Sequence, residues 1–335
     1  LLCISEVKPT VDEEGLNEIF MLGPAKTMGK AIFKDIEELL PAHSLTYKDG
    51  KIDTFSYWKL EAKENSESEI EAAEHTYELV KDSIKRQLVS DVPLSTFLSG
   101  GLDSSIISKI ASDEYKKDGK VLHTYSVDYT DNDKYFKKSL FQPNKDSDYI
   151  DIISSYIGSY HHNVVLDNRD VANALEKATI ARGVPGFVDI DSSLMLFCKE
   201  VKKDFTVCLS GECADEIFGG YPWYRDPTVR ERYGFPWAQS TAYRASFIKP
   251  GVLGGIDPAA FVDERYQQTL AQTSVRPGLP AAEQRMRQMM NLNFKWFMQT
   301  LLDRKDRMSM YSGLEVRVPF CDYRIAEYLY SVPWE

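Results

Sequence analysis

The chain has 335 residues, 43% hydrophobic and 27% charged, a balance that fits a soluble globular protein with two or three cores. Its formal net charge of −11 argues against a nucleic-acid surface, which needs basic patches, but leaves a buried nucleotide site open. No stretch approaches the apolar length of a membrane helix, and the cysteines (Cys3, Cys198, Cys208, Cys213, Cys321) form no close zinc-type pair, so reduced thiols and a cytoplasmic location are expected.

The opening Leu-Leu-Cys-Ile-Ser is too short for a signal sequence and follows no basic region; the chain starts at Leu and reads as an internal piece of a longer protein. Residues 1–64 form a mixed segment. Asp12, Glu13 and Glu14 open a helix whose apolar face is Leu16, Ile19, Phe20 and Leu22, and Gly23-Pro24 ends it. A hairpin is predicted at Asp49-Gly50, with alternation through Ser44-Leu45-Thr46-Tyr47 and Ile52-Asp53-Thr54-Phe55. The polar run 61–69 reads as a solvated linker or helix start.

From residue 71 to about 220, helices and strands alternate. Helix 72–88 leads to strand 92–98 and a further helix. Strand 122–129 is followed by a polar loop (131–146), helix 149–157, strand 162–166, helices 171–181 and 194–201, and strand 205–209. This alternation predicts an α/β fold, a parallel twisted sheet with helices on both faces and ligands at the carboxyl ends of its strands. After Tyr221, repeated prolines (Pro222, Pro227, Pro236, Pro250, Pro258) break the chain, and a long helix is predicted over 281–302. The C-terminal part, 222–335, reads as mainly α-helical.

The most informative stretch is Thr96-Phe97-Leu98-Ser99-Gly100-Gly101-Leu102-Asp103-Ser104-Ser105. A strand meets paired glycines and a helix start. Glycines let the backbone take positive φ and turn several N–H groups toward one point, and the helix N-terminus adds unpaired donors and the positive end of its dipole. Such a site suits phosphate. The Asp within it makes sense if a divalent cation, Mg2+, bridges carboxylate and phosphate. The loop lacks the Gly-Lys-Ser/Thr ending of the common NTPase phosphate loop and the glycine spacing of the dinucleotide fingerprint.

Strand 205–209 runs into Ser210-Gly211-Glu212-Cys213-Ala214-Asp215-Glu216-Ile217-Phe218-Gly219-Gly220-Tyr221. Three carboxylates in five positions repel one another unless a metal or cation stabilises them, although acidic residues also suit a helix N-terminus. A third segment, Asp306-Arg307-Met308-Ser309-Met310 followed by Leu314-Glu315-Val316-Arg317-Val318-Pro319-Phe320-Cys321-Asp322, completes the set.

Together these motifs resemble the synthetase domain of glutamine-dependent asparagine synthetase, within the ATP pyrophosphatase (PP-loop) superfamily with its adenine-nucleotide alpha hydrolase-like sheet. The resemblance covers about residues 70–335 in order and spacing. It implies domains of 1–64, the end of a glutaminase domain with a hairpin linker, and 65–335, the synthetase domain. It also implies that ATP and aspartate form β-aspartyl-AMP and PPi, and that ammonia, derived from glutamine in the full-length enzyme, then yields asparagine. This chain offers no N-terminal nucleophile, because Cys3 lies in another context, so use of free ammonia is expected. Neither nucleic acid nor membrane is an implied partner; a homodimer is left open.

Carried over position by position, the resemblance implies that Ser99, Gly100, Gly101, Asp103 and Ser104 grip the pyrophosphate part of ATP. Leu98, Val127, Ser210 and Gly211 line the adenosine pocket, and Asp103 and Asp215 hold Mg2+. Glu212 stands at the reacting centre, with Glu216 a further substrate-pocket candidate. Two departures stand out: Arg307 replaces a lysine common in the family and is expected to stabilise phosphate charge, and Cys213 replaces a usual glycine. Other residues read as structural. His123, His161 and His162 lack ligand partners, Arg317 and Asp322 are expected to pair, and Met289-Met290 and Trp296-Phe297 belong to helix core. The alternatives are a related ligase with an internal amine as acceptor, such as a β-lactam synthetase or peptide cyclase, and a nucleotide-binding module without turnover.

Overall fold

The computed structural model describes residues 4–138 and 145–334, so Cys3 and part of the polar loop expected over 131–146 lie outside the described residues. In chain order the elements used below are β1 (His43–Lys48), β2 (Lys51–Ser56), α1 (Glu69–Gln87), β3 (Leu94–Phe97), α2 (Leu102–Lys117), β4 (His123–Tyr129), α3 (Ser147–Ile157), β5 (Tyr160–Leu166), α4 (Leu175–Arg182), α5 (Asp189–Lys202), β6 (Val207–Leu209) and α6 (Ala214–Phe218). Then come α7 (Pro258–Ala271), α8 (Ala281–Leu292), α9 (Met298–Tyr311), β7 (Glu315–Arg317) and α10 (Tyr323–Leu329). Two compact units result, one of residues 64–222 with 301–332, the other of 1–63 with 223–300 and 333–335.

The first unit carries a parallel sheet of order β5-β4-β3-β6-β7. Alternation along β3 sends neighbouring side chains to opposite faces. Phe97 packs at a tilt against Phe197 of α5 with ring centroids 4.8 Å apart, while the Thr96 hydroxyl meets Ser108 of α2 at 2.7 Å. Helices therefore cover both faces, as the alternation of elements predicts. Tyr125, Phe197, Cys198, Val201, Cys208 and Leu314 form one buried cluster between the sheet and α5. Ser68 caps α1 in a reciprocal box with Glu71, so the run 61–69 ends as a helix start.

The expected strands appear, shorter or longer by a residue or two at their ends. Helix 171–181 is instead two pieces, Asn168–Asn173 and Leu175–Arg182, and the long helix of 281–302 is two α-helices joined by a π-helical turn at Asn293–Phe297. Arg317 does not pair with Asp322. It pairs with Glu315 at 2.7 Å and donates to the carbonyls of Gln87 and Val89, while Asp322 caps α10 and binds Arg324 two residues on. The short-range turn contact takes the carboxylate.

In the second unit the hairpin closes at Asp49 and Gly50, both at positive φ, in register Lys48↔Lys51. That is the twist-compatible two-residue turn that Asp-Gly favours. Met289, Met290 and Trp296 are buried, and the Trp296 indole donates to Thr269 of α7 at 2.9 Å. Among the described residues no helix is long and apolar enough to cross a membrane.

Candidate active site

The carboxyl ends of β3, β4 and β6 open on a cavity of about 340 Å³. Leu98, Ser99, Asp103, Ser104, Val127, Ser210, Gly211, Glu212, Asp215 and Glu216 all line it, together with Lys305 from α9 and Tyr221. Both sequence loops thus reach one space. Parallel strands require it, since each chain segment leaves the sheet at the same end.

The first loop is held by its own hydroxyls. Ser104 Oγ accepts the Ser99 N–H at 3.2 Å and lies 3.0 Å from Ser99 Oγ, and the hydroxyl of Ser105 donates to the Gly101 carbonyl at 2.6 Å. Gly100 has φ +77, and a Cβ there would lie 2.8 Å from Tyr149 Cβ. Side chains are excluded on both counts. Gly101 caps α2 with no side-chain cap bond, which leaves the first-turn donors for an anion. The second loop comes close: a Cβ on Gly211 would sit 3.1 Å from the Ser104 backbone nitrogen.

Asp103 and Asp215 face the cavity from the two loops. Burial first, and the Asp215 charge second, push the Asp103 carboxyl up to about 6. Two carboxylates in such tension form a donor set that fits a Mg2+ ion completed by phosphate oxygens and water, which needs few protein ligands. Gly220 keeps Asp215 in place, for a Cβ there would fall 1.8 Å from Asp215 Oδ1.

Glu212 sits between two cations. Lys305 Nζ lies 2.9 Å from Oε2, and Arg304 Nη2 donates to Oε1 at 2.9 Å. Burial pushes the carboxyl up, but Lys305, then Arg304, outweigh it and hold Glu212 below the ordinary carboxylate range. Each cation also rests on a ring, Lys305 over Phe97 at 5.3 Å and Arg304 over Phe187 at 5.7 Å. Glu216 behaves oppositely. Buried, with Tyr221 donating to Oε1 at 2.5 Å, it is pushed up to about 7 because burial outweighs that hydrogen bond.

Arg307 does not join this group: it is exposed and is not among the residues around the cavity, where Lys305 stands instead. Helix geometry explains the exchange. At about 100° per residue, Lys305 shares the inward stripe of buried Leu301 and Met308, Arg304 flanks it, and Arg307 is turned about 160° from Lys305. Cys213 is buried at φ +76, a left-handed conformation for a residue with a side chain, and its thiol hydrogen-bonds that of Cys321. The histidines make contacts between β4 and β5: His123 Nδ1 and His162 Nε2 are 2.9 Å apart, and His161 lies between the hydroxyls of Thr124 and Ser126.

Comparison with known proteins shows the family. Residues 75–335 match the family model "Asparagine synthase". The chain is 47% identical over 336 residues to "Asparagine synthetase [glutamine-hydrolyzing] 3" of Bacillus subtilis (strain 168), covering 100% of this chain and 54% of that protein. It is 25% identical over 367 residues to "Asparagine synthetase [glutamine-hydrolyzing] 1" of the same organism (100% and 55%), and 24% identical over 364 residues to "Amidase chyE" of Penicillium rubens (91% and 53%). The chain spans about half the length of the curated relatives it matches. With the family match running from the helix before the phosphate-type loop to the end of the chain, this chain belongs to the asparagine synthase family.

Proposed function

We propose that the chain catalyses ATP-dependent amidation of aspartate. The β-carboxylate attacks the α-phosphorus of ATP, PPi leaves, and β-aspartyl-AMP forms; ammonia then attacks the acyl carbon, AMP leaves, and asparagine is released with one proton passed to a base. The observation that carries this reading is that an anion-type loop and a doubly clamped carboxylate, Glu212, face one cavity.

In this reading Ser99, Gly100, Gly101 and Ser104 receive the pyrophosphate, whose charge the free helix donors offset. Leu98, Val127, Ser210 and Gly211 form the nucleoside wall. Asp103 and Asp215 would hold Mg2+, which supplies charge neutralisation on the phosphates when bound. Lys305, rather than Arg307, provides the cation for the developing phosphate charge. Glu212 stays ionised beside Lys305 and Arg304 and takes the proton from ammonia, and Glu216 with Tyr221 closes the aspartate end of the pocket.

The test is ATP–PPi exchange across a panel of amino acids, with asparagine measured after ammonia is added. Aspartate-dependent exchange followed by asparagine supports the reading. Exchange with an acid other than aspartate, followed by a cyclised product without added ammonia, supports the cyclising ligase, and no exchange with any acid supports a binding module.

A further inference from the structure

We propose that Phe187, in the loop between α4 and α5, is a positioning residue that holds the Arg304 guanidinium, and through it Glu212, for the ammonia step. This rests on the reading of Glu212 as the base.

Little else orients Arg304. Its Nη2 binds Glu212, but among the described residues its Nε is buried with no hydrogen-bond partner. A guanidinium so placed is fixed at one edge only, and the face of Phe187, 5.7 Å from it, supplies the second constraint. Arg182 lies near the same ring at 5.9 Å, so the phenyl is shared by two guanidiniums.

The loop is built to hold that ring. Arg182, the last residue of α4, and Asp191, in the first turn of α5, form an ion pair at 3.7 Å, each side chain only 4% exposed. The Phe187 N–H donates to Asp191 Oδ2 at 3.0 Å. Gly186 lets the backbone pass: a Cβ there would fall 2.1 Å from Asp191 Oδ2. The next residue, Val188, has φ +54 and ψ −111, a strained conformation for a β-branched side chain, and it is 64% exposed, so its own packing does not hold it there. Strain of this kind persists only where the surroundings over-determine it, and it gathers at functional sites. Here the over-determination comes from Asp191 and Arg182, and its product is the position of the ring.

Phe187→Leu keeps apolar volume and removes the ring face; Phe187→Tyr keeps the face. We expect Phe187→Leu to lower asparagine formation from ammonia by about tenfold or more while aspartate-dependent ATP–PPi exchange stays within about twofold, and Phe187→Tyr to restore it. Equal loss of both half-reactions, or a fully active Phe187→Leu, would overturn the assignment. If the unmodified chain performs neither half-reaction, the functional reading fails and a double-mutant cycle of Phe187→Leu with Arg304→Met in urea unfolding still decides whether the ring holds the guanidinium. Coupling above about threefold in the unfolding constant supports it, and additivity overturns it.

Discussion

Lys305 Nζ lies 2.9 Å from Glu212 Oε2, although Lys305 stands just before the third motif and 93 positions from Glu212. Breaking a buried pair from one side is severe, because the remaining charge keeps its desolvation cost without its partner. Lys305→Met should therefore lower aspartate-dependent PPi release by about 100-fold or more, whereas the exposed Arg307→Met should stay within about threefold. Parallel assays of the two variants separate the roles of the neighbouring cations. A silent Lys305→Met beside a dead Arg307→Met would return the charge-stabilising role to Arg307.

Asp215 owes its position to a missing side chain. An alanine at Gly220 would place Cβ 1.8 Å from Asp215 Oδ1, so the carboxylate must move. We expect Gly220→Ala to raise the Mg2+ concentration for half-maximal PPi release by about tenfold, with a smaller effect on the ATP requirement at saturating Mg2+. A Mg2+ titration at fixed ATP reads this directly; an unchanged half-point would remove Asp215 from the metal set.

Where the sequence was legible, a local rule and the tertiary structure agree. Asp49-Gly50 favours positive φ at two positions and the hairpin has it. The glycines and hydroxyls at 99–105 are those of a strand-to-helix anion loop, and the loop folds on those hydroxyls. The illegible parts are non-local. β7 has three residues and exists only by pairing with β6, so no pattern announces it. Residues 1–63 share a unit with 223–300, which no linker composition reveals. Phe187 lies in an aperiodic loop, and its signal is a backbone angle absent from any sequence. The exchange of Arg307 for Lys305 was readable in principle, since the Leu301–Met308 stripe points to Lys305 once 306–311 is placed on the same helix as 301.

Cys213 carries a left-handed backbone with φ +76 while its side chain is buried. Glycine would relieve about 1 kcal/mol of that strain, and the lost burial of a small thiol is of similar size. Cys213→Gly should thus change stability by less than about 1 kcal/mol and leave the ATP dependence of exchange unaltered. Cys213→Val, with its branched Cβ in the same conformation, should cost more than about 2 kcal/mol. Urea unfolding of the pair tests this, and tolerance of valine would mean that the loop relaxes out of the left-handed region without cost.

Glu216 ties stability to pH in the direction opposite to most acids. Its carboxyl is raised from 4.5 to about 7 in the folded state, so the fold prefers the protonated form. The stabilisation is complete below the unfolded value and is lost as pH rises through the folded one. The shift of about 2.5 units corresponds to about 3 kcal/mol between pH 4 and pH 8, with the change concentrated between about 4.5 and 7. Asp103, raised from 3.8 to about 6, works in the same direction in the absence of Mg2+. Glu216→Gln keeps an uncharged side chain of the same shape beside Tyr221 and should flatten this part of the profile. Measured without Mg2+, Tm of the unmodified chain relative to the variant should fall from pH 5 to pH 8. Parallel profiles would mean that Glu216 ionises normally in the folded chain, and that its buried position beside Tyr221 does not set its charge.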